Sequence, residues 1–125
     1  MNQKQTLLAG ILFGAFGVAL GAFGAHALKN LLIKNGRIET FELAVRYQFY
    51  HALALLFIGL LMSQYGSARM NWSSLLIFVG VILFSGSLYL YALTNTKSFA
   101  MVTPIGGLFL LVGWIVLAYA IITKS

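Results

Sequence analysis

The sequence predicts an all-α integral membrane protein, a single four-helix bundle running up, down, up and down. Three observations carry that reading. The 125 residues are 61% hydrophobic and only 8% charged. Mean hydropathy is +0.94. Four apolar runs, at 7–28, 38–62, 72–93 and 101–122, are separated by short polar stretches. A soluble domain carries about 25% charged residues. This chain has too few to cover a water-facing surface, so lipid is its solvent. Each run makes roughly 30 Å of helix, enough to cross a hydrocarbon core. Short connections force neighbouring spans to be antiparallel.

Residues 1–6 form a polar lead, and the first span follows at 7–28. Within it, Gly10, Gly14, Gly17, Gly21 and Gly24 repeat at intervals of 4, 3, 4 and 3. That spacing places all five on one helical stripe. Each interior glycine costs a soluble helix about 1 kcal/mol relative to alanine. In a membrane a glycine face lets a second backbone come close, so the stripe reads as a packing seam. This span is therefore expected to be the most buried, with Gly17 and Gly21 intolerant of leucine. The alternative is a cleaved signal peptide. A signal core is shorter and needs small residues only at its end, so the span is read as retained.

Residues 29–37 (KNLLIKNGR) are a basic linker with an Asn35-Gly36 turn signal. Leu31, Leu32 and Ile33 are apolar enough to enter the headgroup layer. The second span, 38–62, opens amphipathically: Glu39, Glu42, Arg46 and Tyr50 share a face. Glu42 and Arg46 form an i, i+4 pair in the favourable order. Gln48 and His51 lie on a different face. A polar turn, 63–71, leads to the third span, with Trp72, Tyr89 and Tyr91 placed as interfacial anchors. The turn 94–98 precedes the fourth span, where Pro104 is tolerated in the first turn. Gly106, Gly107 and Gly113 give that span a second small-residue surface. The whole chain, 1–125, reads as one domain. Its halves, 1–62 and 63–125, show no repeat of the glycine stripe or of the His-Glu-Arg set, so an inverted-repeat transporter is not supported.

Three segments, GAFGAHALK (21–29), FELAVRYQFYHALALL (41–56) and TPIGG (103–107), resemble domain-of-unknown-function family 423. These are small bacterial membrane proteins, with transmembrane protein 256 among animal relatives. The resemblance covers nearly the whole chain, and its three motifs together are specific. It implies a multi-pass protein of the cell membrane and carries no activity to transfer.

Topology sorts the polar residues. Side A holds both termini, with Lys4, Arg69 and Lys124. Side B receives His26, Lys29, Lys34, Arg37, Glu39, Glu42, Arg46, Gln48, His51, Asn95, Lys97 and Thr103. Any site belongs on side B. A ligand-binding or structural polar cluster is expected from His26, Lys29, Glu42, Arg46, Gln48, His51 and Thr103. Within it, His26, Gln48 and His51 are expected to meet between the first two spans, and Glu42 to pair with Arg46. Each has a plainer reading: His26 at the headgroups, His51 on a neighbouring carbonyl, the lysines as lipid contacts.

Enzyme chemistry finds little support. There are two histidines, two acids and no cysteine, so no metal set or cofactor is expected. No serine sits in a nucleophile-elbow context, and no nucleotide-binding glycine loop follows a strand. The net charge of +6 comes from scattered residues, which argues against nucleic acid and for lipid headgroups, anionic ones included. Two functions stand. One is a non-enzymatic scaffold or accessory protein acting by glycine-mediated packing with itself or a membrane partner, because one bundle need not bury both glycine surfaces at once. The alternative is binding or transport of a small anionic or amphiphilic ligand, such as a lipid headgroup, at side B. Loop charges on side B outnumber those on side A four to three, which places both termini outside by the narrowest margin.

Overall fold

The computed structural model describes residues 1–124; Ser125, the last residue of the expected domain, lies outside the described residues. Five α-helices follow in order: α1 (Gln3–Ala25), α2 (Lys29–Asn35), α3 (Ile38–Tyr65), α4 (Ala68–Thr94) and α5 (Thr103–Ile122). A 3-10 turn at Lys97–Met101 leads into α5. No strand occurs among the described residues. Four helices, α5 with its leading turn, are long and apolar enough to span a membrane.

The helix ends follow local chemistry more than hydropathy. α1 begins at Gln3 because Asn2 and Gln5 make a capping box: the Asn2 side chain accepts from the Gln5 N–H at 2.8 Å, and Gln5 Oε1 accepts from the Asn2 N–H at 3.1 Å. The supposed polar turn at 63–71 shrinks to Gly66 and Ser67, since α3 runs on to Tyr65 and Ser67 caps α4. A side chain on Gly66 would press within 2.5 Å of the Met62 carbonyl oxygen, so this tight reversal needs glycine. The basic linker contains a helix, α2, closed by Gly36 at φ 67°. Its Leu32 is buried against Phe41 and Ala92, and Asn35 Nδ2 donates to the Ala92 carbonyl at 2.9 Å. That amide satisfies a carbonyl in the last turn of α4.

Packing runs α1 on α3, α3 on α4, and α4 on α5. The glycine stripe does face α3, but the expected burial order is reversed. α1 is the least buried span, with 17% of its apolar window enclosed against 44% for α3. The reason is position: α1 is peripheral and offers one stripe to one main neighbour, while α3 is covered from several sides. The need for glycine along the stripe is also uneven. A Cβ on Gly10 would come within 2.9 Å of the Ala52 carbonyl oxygen, and one on Gly24 would enter the buried Phe41 ring. At Gly21 the nearest atom would be 3.5 Å away, and at Gly14 4.0 Å, both ordinary contact distances.

The second glycine surface is taken up as well. A Cβ on Gly106 would fall on the backbone of Leu83 and Phe84, and one on Gly113 would meet Ile77 at 2.6 Å. A Cβ on Gly107 would lie 3.8 Å from the Phe84 ring and has room. Both glycine faces thus make close helix contacts inside the chain, at Gly10, Gly24, Gly106 and Gly113, while Gly14, Gly21 and Gly107 have room.

Backbone contact cannot be relieved by a rotamer change, whereas open space can accept a methyl. Gly106→Ala should therefore destabilise the bundle by about 1–3 kcal/mol. Gly14→Ala should be neutral or gain up to about 1 kcal/mol from helix propensity. Thermal unfolding in detergent, followed by size-exclusion recovery, reads both. A Gly106→Ala protein as stable as the parent would contradict this packing.

Candidate functional site

Two polar features stand out, a bonded network in the core and a cleft at side B. The network is built on the middle of α3. Gln48 is buried, and its amide is used at both ends: Nε2 donates to the Phe13 carbonyl of α1 at 2.9 Å, and Oε1 accepts from the Tyr89 hydroxyl of α4 at 2.6 Å. Gly17 sits beside this amide, with Gln48 Nε2 an ordinary 3.7 Å from where its Cβ would be and the Phe49 ring tighter at 3.3 Å. One turn on, His51 Nδ1 is 2.7 Å from the Tyr47 carbonyl, and Nε2 receives the Trp114 indole N–H of α5 at 3.1 Å. An indole N–H only donates. Nε2 must therefore be bare, and Nδ1 must carry the proton that goes to Tyr47. His51 is held as the neutral Nδ1–H tautomer.

Serines complete the set. Ser85 donates to the Ala44 carbonyl of α3 at 2.7 Å, and Ser73 to the Gly113 carbonyl of α5 at 2.8 Å. Among the described residues no buried side-chain nitrogen or oxygen lacks a partner. These bonds run between α1, α3, α4 and α5, so the network joins the spans.

The cleft differs in this respect. It lies at side B between the end of α1 and the first turns of α3, with a volume of about 300 Å³. Gly21 and Gly24 form one wall; Phe41, Glu42, Val45 and Arg46 form the other. Leu32 of α2 and Ile38 also line it. It exists because the glycines leave α1 without side chains there, while the Phe41 ring wedges against Gly24. Glu42 and Arg46 are exposed. Among the described residues neither has a hydrogen-bond or ion-pair partner, each other included, although they stand one helical turn apart. The cleft is an apolar slot with two unpaired, opposite charges along one edge.

The other expected site residues are dispersed. His26 is exposed and lines a shallow hollow with Ala19, Ala22, Phe23 and Ala27, on the face of α1 away from the glycine stripe. The structure does not bring it to Gln48 or His51. Antiparallel pairing sets Gly24 beside Phe41 and Gly17 beside Gln48, so His26 stands more than two turns nearer side B than Gln48. Gln48 and His51 also face different neighbours. Lys29 is exposed at the start of α2. Thr103 bonds Ser87 at 2.6 Å and fastens α5 to α4.

Several residues carry more than sequence reading assigned them. Tyr89, expected at the interface, turns inward to Gln48, because helical side chains lean toward the N-terminus and that direction leads into the bundle. Trp114 bonds His51 from the middle of its span, and a tryptophan so far from either interface was the available signal. Arg37 lies over the Tyr91 ring at 4.4 Å and donates to Asn95 Oδ1 at 3.1 Å, binding the linker to the end of α4.

Fold and composition define a small multi-pass membrane protein. Comparison with known proteins places it further. Residues 20–107 match the family described as a protein of unknown function, DUF423, and the chain belongs to that family. A UPF0382 membrane protein of Staphylococcus aureus is 44% identical over 118 residues, covering 94% of this chain and 95% of the relative. A counterpart in Staphylococcus epidermidis is 42% identical over 118 residues, with the same coverage. The UPF0382 inner membrane protein YgdD of Escherichia coli K12 is 40% identical over 116 residues, covering 91% and 86%. No solved structure matches the chain.

The Gln48–Tyr89 bond should show as a coupling. Tyr89→Phe leaves a buried amide oxygen without its donor; Gln48→Leu removes both ends. A double-mutant cycle on thermal stability should give an interaction of about 0.6–1.7 kcal/mol, the range for hydrogen bonds between membrane helices. Additive effects would contradict the bond.

Proposed function

We propose that this protein is a non-enzymatic cell-membrane protein that binds an amphiphile, a membrane phospholipid, in the side-B cleft. The observation that carries the reading is the cleft itself: an apolar slot with Glu42 and Arg46 unpaired at its edge. An acyl chain suits the slot, and a headgroup suits the charges, which a protein surface in lipid leaves open only at some cost. The scaffold reading drew on unused glycine surface, and the closest approaches on both surfaces, at Gly10, Gly24, Gly106 and Gly113, are made within the chain. The resident position is the headgroup depth at which α3 begins. On the loop charges, side B faces the cytoplasm.

Filling the slot should abolish binding. Val45 lines the cleft and is only half-buried, so Val45→Trp should fold and should lose most phospholipid adducts. Native mass spectrometry of delipidated protein titrated with phospholipid reads the change. Equal adducts on parent and variant, or a lipid-free oligomer from both, would contradict the reading; the second result would favour a scaffold.

A further inference from the structure

The two charges in the cleft say more about the ligand than its apolar walls do. The chain has two acidic residues in all, against eight basic ones. One of the two acids, Glu42, lines the cleft beside Arg46. A site for a purely anionic lipid gains nothing from a carboxylate and is weakened by it, since like charges at contact range repel. Glu42 and Arg46 also stand at i, i+4 in the order that favours pairing, yet each is free. Two opposite charges on neighbouring turns of one helix face, not paired with each other, match a ligand that carries two opposite charges within reach of both side chains.

Resting on the phospholipid reading above, we propose that the ligand is a zwitterionic glycerophospholipid with a primary ammonium. Its phosphate oxygens would accept paired N–H bonds from the planar Arg46 guanidinium. Its ammonium, two carbons beyond the phosphate, would donate to the Glu42 carboxylate. One acyl chain would lie along Gly21 and Gly24 against Phe41 and Val45. A trimethylated ammonium keeps the charge and loses every N–H donor, so the site separates ethanolamine from choline headgroups. A glycerol headgroup supplies no cation and leaves Glu42 unmatched. The general positive charge of the chain favours anionic lipid everywhere on its surface; the cleft is where that preference reverses.

The test is competition. Delipidated full-length protein in detergent is offered an equimolar mixture of phosphatidylethanolamine, phosphatidylglycerol and phosphatidylcholine with identical acyl chains, and first-adduct intensities are read by native mass spectrometry. The ethanolamine lipid should lead both others by at least about fivefold. Glu42→Gln should reduce its lead over the choline lipid to less than about twofold while total phospholipid binding persists. Arg46→Gln should weaken all three together. Preference for phosphatidylglycerol, equal binding of all three, or a preference that survives Glu42→Gln would overturn this inference and leave the phospholipid reading standing. Absence of any phospholipid adduct on the parent protein would overturn both. The competition on the parent protein needs no variant, so it decides the question even if a substitution disrupts folding.

Discussion

The structure depends on one constraint: spans with almost no charge must be held together in a solvent that gives apolar side chains no reason to associate. Lipid tails are as apolar as leucine, so adhesion has to come from close packing and from hydrogen bonds between helices. Both devices converge on α3. Gln48 reaches α1 and α4, His51 reaches α5, and the Ala44 carbonyl takes a bond from α4. All four contacts join a neutral side chain to a partner on another span without placing a formal charge in the membrane. Glycine supplies the other device. Where α1 meets α3 at Gly10 and α5 meets α4 at Gly106, the approach is so close that a methyl has no place.

The two ends of the bundle are built differently, and the difference sets the location of the cleft. At side A the connection between α3 and α4 is only Gly66 and Ser67, with Arg69 over the Tyr119 ring. A shallow, open hollow lies there between the start of α1 and α4, lined mainly by apolar side chains such as Leu8, Leu12, Leu75 and Phe78. At side B the longer linker folds into α2, which leans on the end of α4 through Leu32 and Asn35 rather than filling the gap between α1 and α3. Gly21 leaves that gap open, while the Phe41 ring takes the space beside Gly24. A slot with two unpaired charges follows from where α2 settles.

The number and type of spans were legible in the sequence because composition and run length decide them. The stripe at 10–24 was legible as a seam because its 4-3-4-3 spacing has one geometric meaning. Its partner, the next span, followed from the short linker, but its depth in the bundle was not legible, since spacing says which residues share a face and nothing about how many neighbours a helix will have. This is why α1 proves the least buried span. Glu42 and Arg46 were readable as neighbours, but whether neighbours bond depends on rotamers that a cleft can hold apart. His26 and His51 were readable as two rings on antiparallel helices. Their separation follows from register, which Phe41 fixes by wedging against Gly24. The inward turn of Tyr89 and the reach of Trp114 are tertiary facts, visible only once α3 is placed between their helices.

The claim that α3 is joined to its neighbours by neutral, directed bonds is most exposed at His51. Its ring is bound from both sides, and only one protonation state satisfies both partners. Nitrogen NMR of histidine-labelled protein in lipid nanodiscs at neutral pH reads that state directly. His51 should show a protonated Nδ1 and a bare Nε2, and Trp114→Phe should alter the Nε2 resonance. An Nε2–H tautomer or a doubly protonated ring, unchanged by Trp114→Phe, would contradict it.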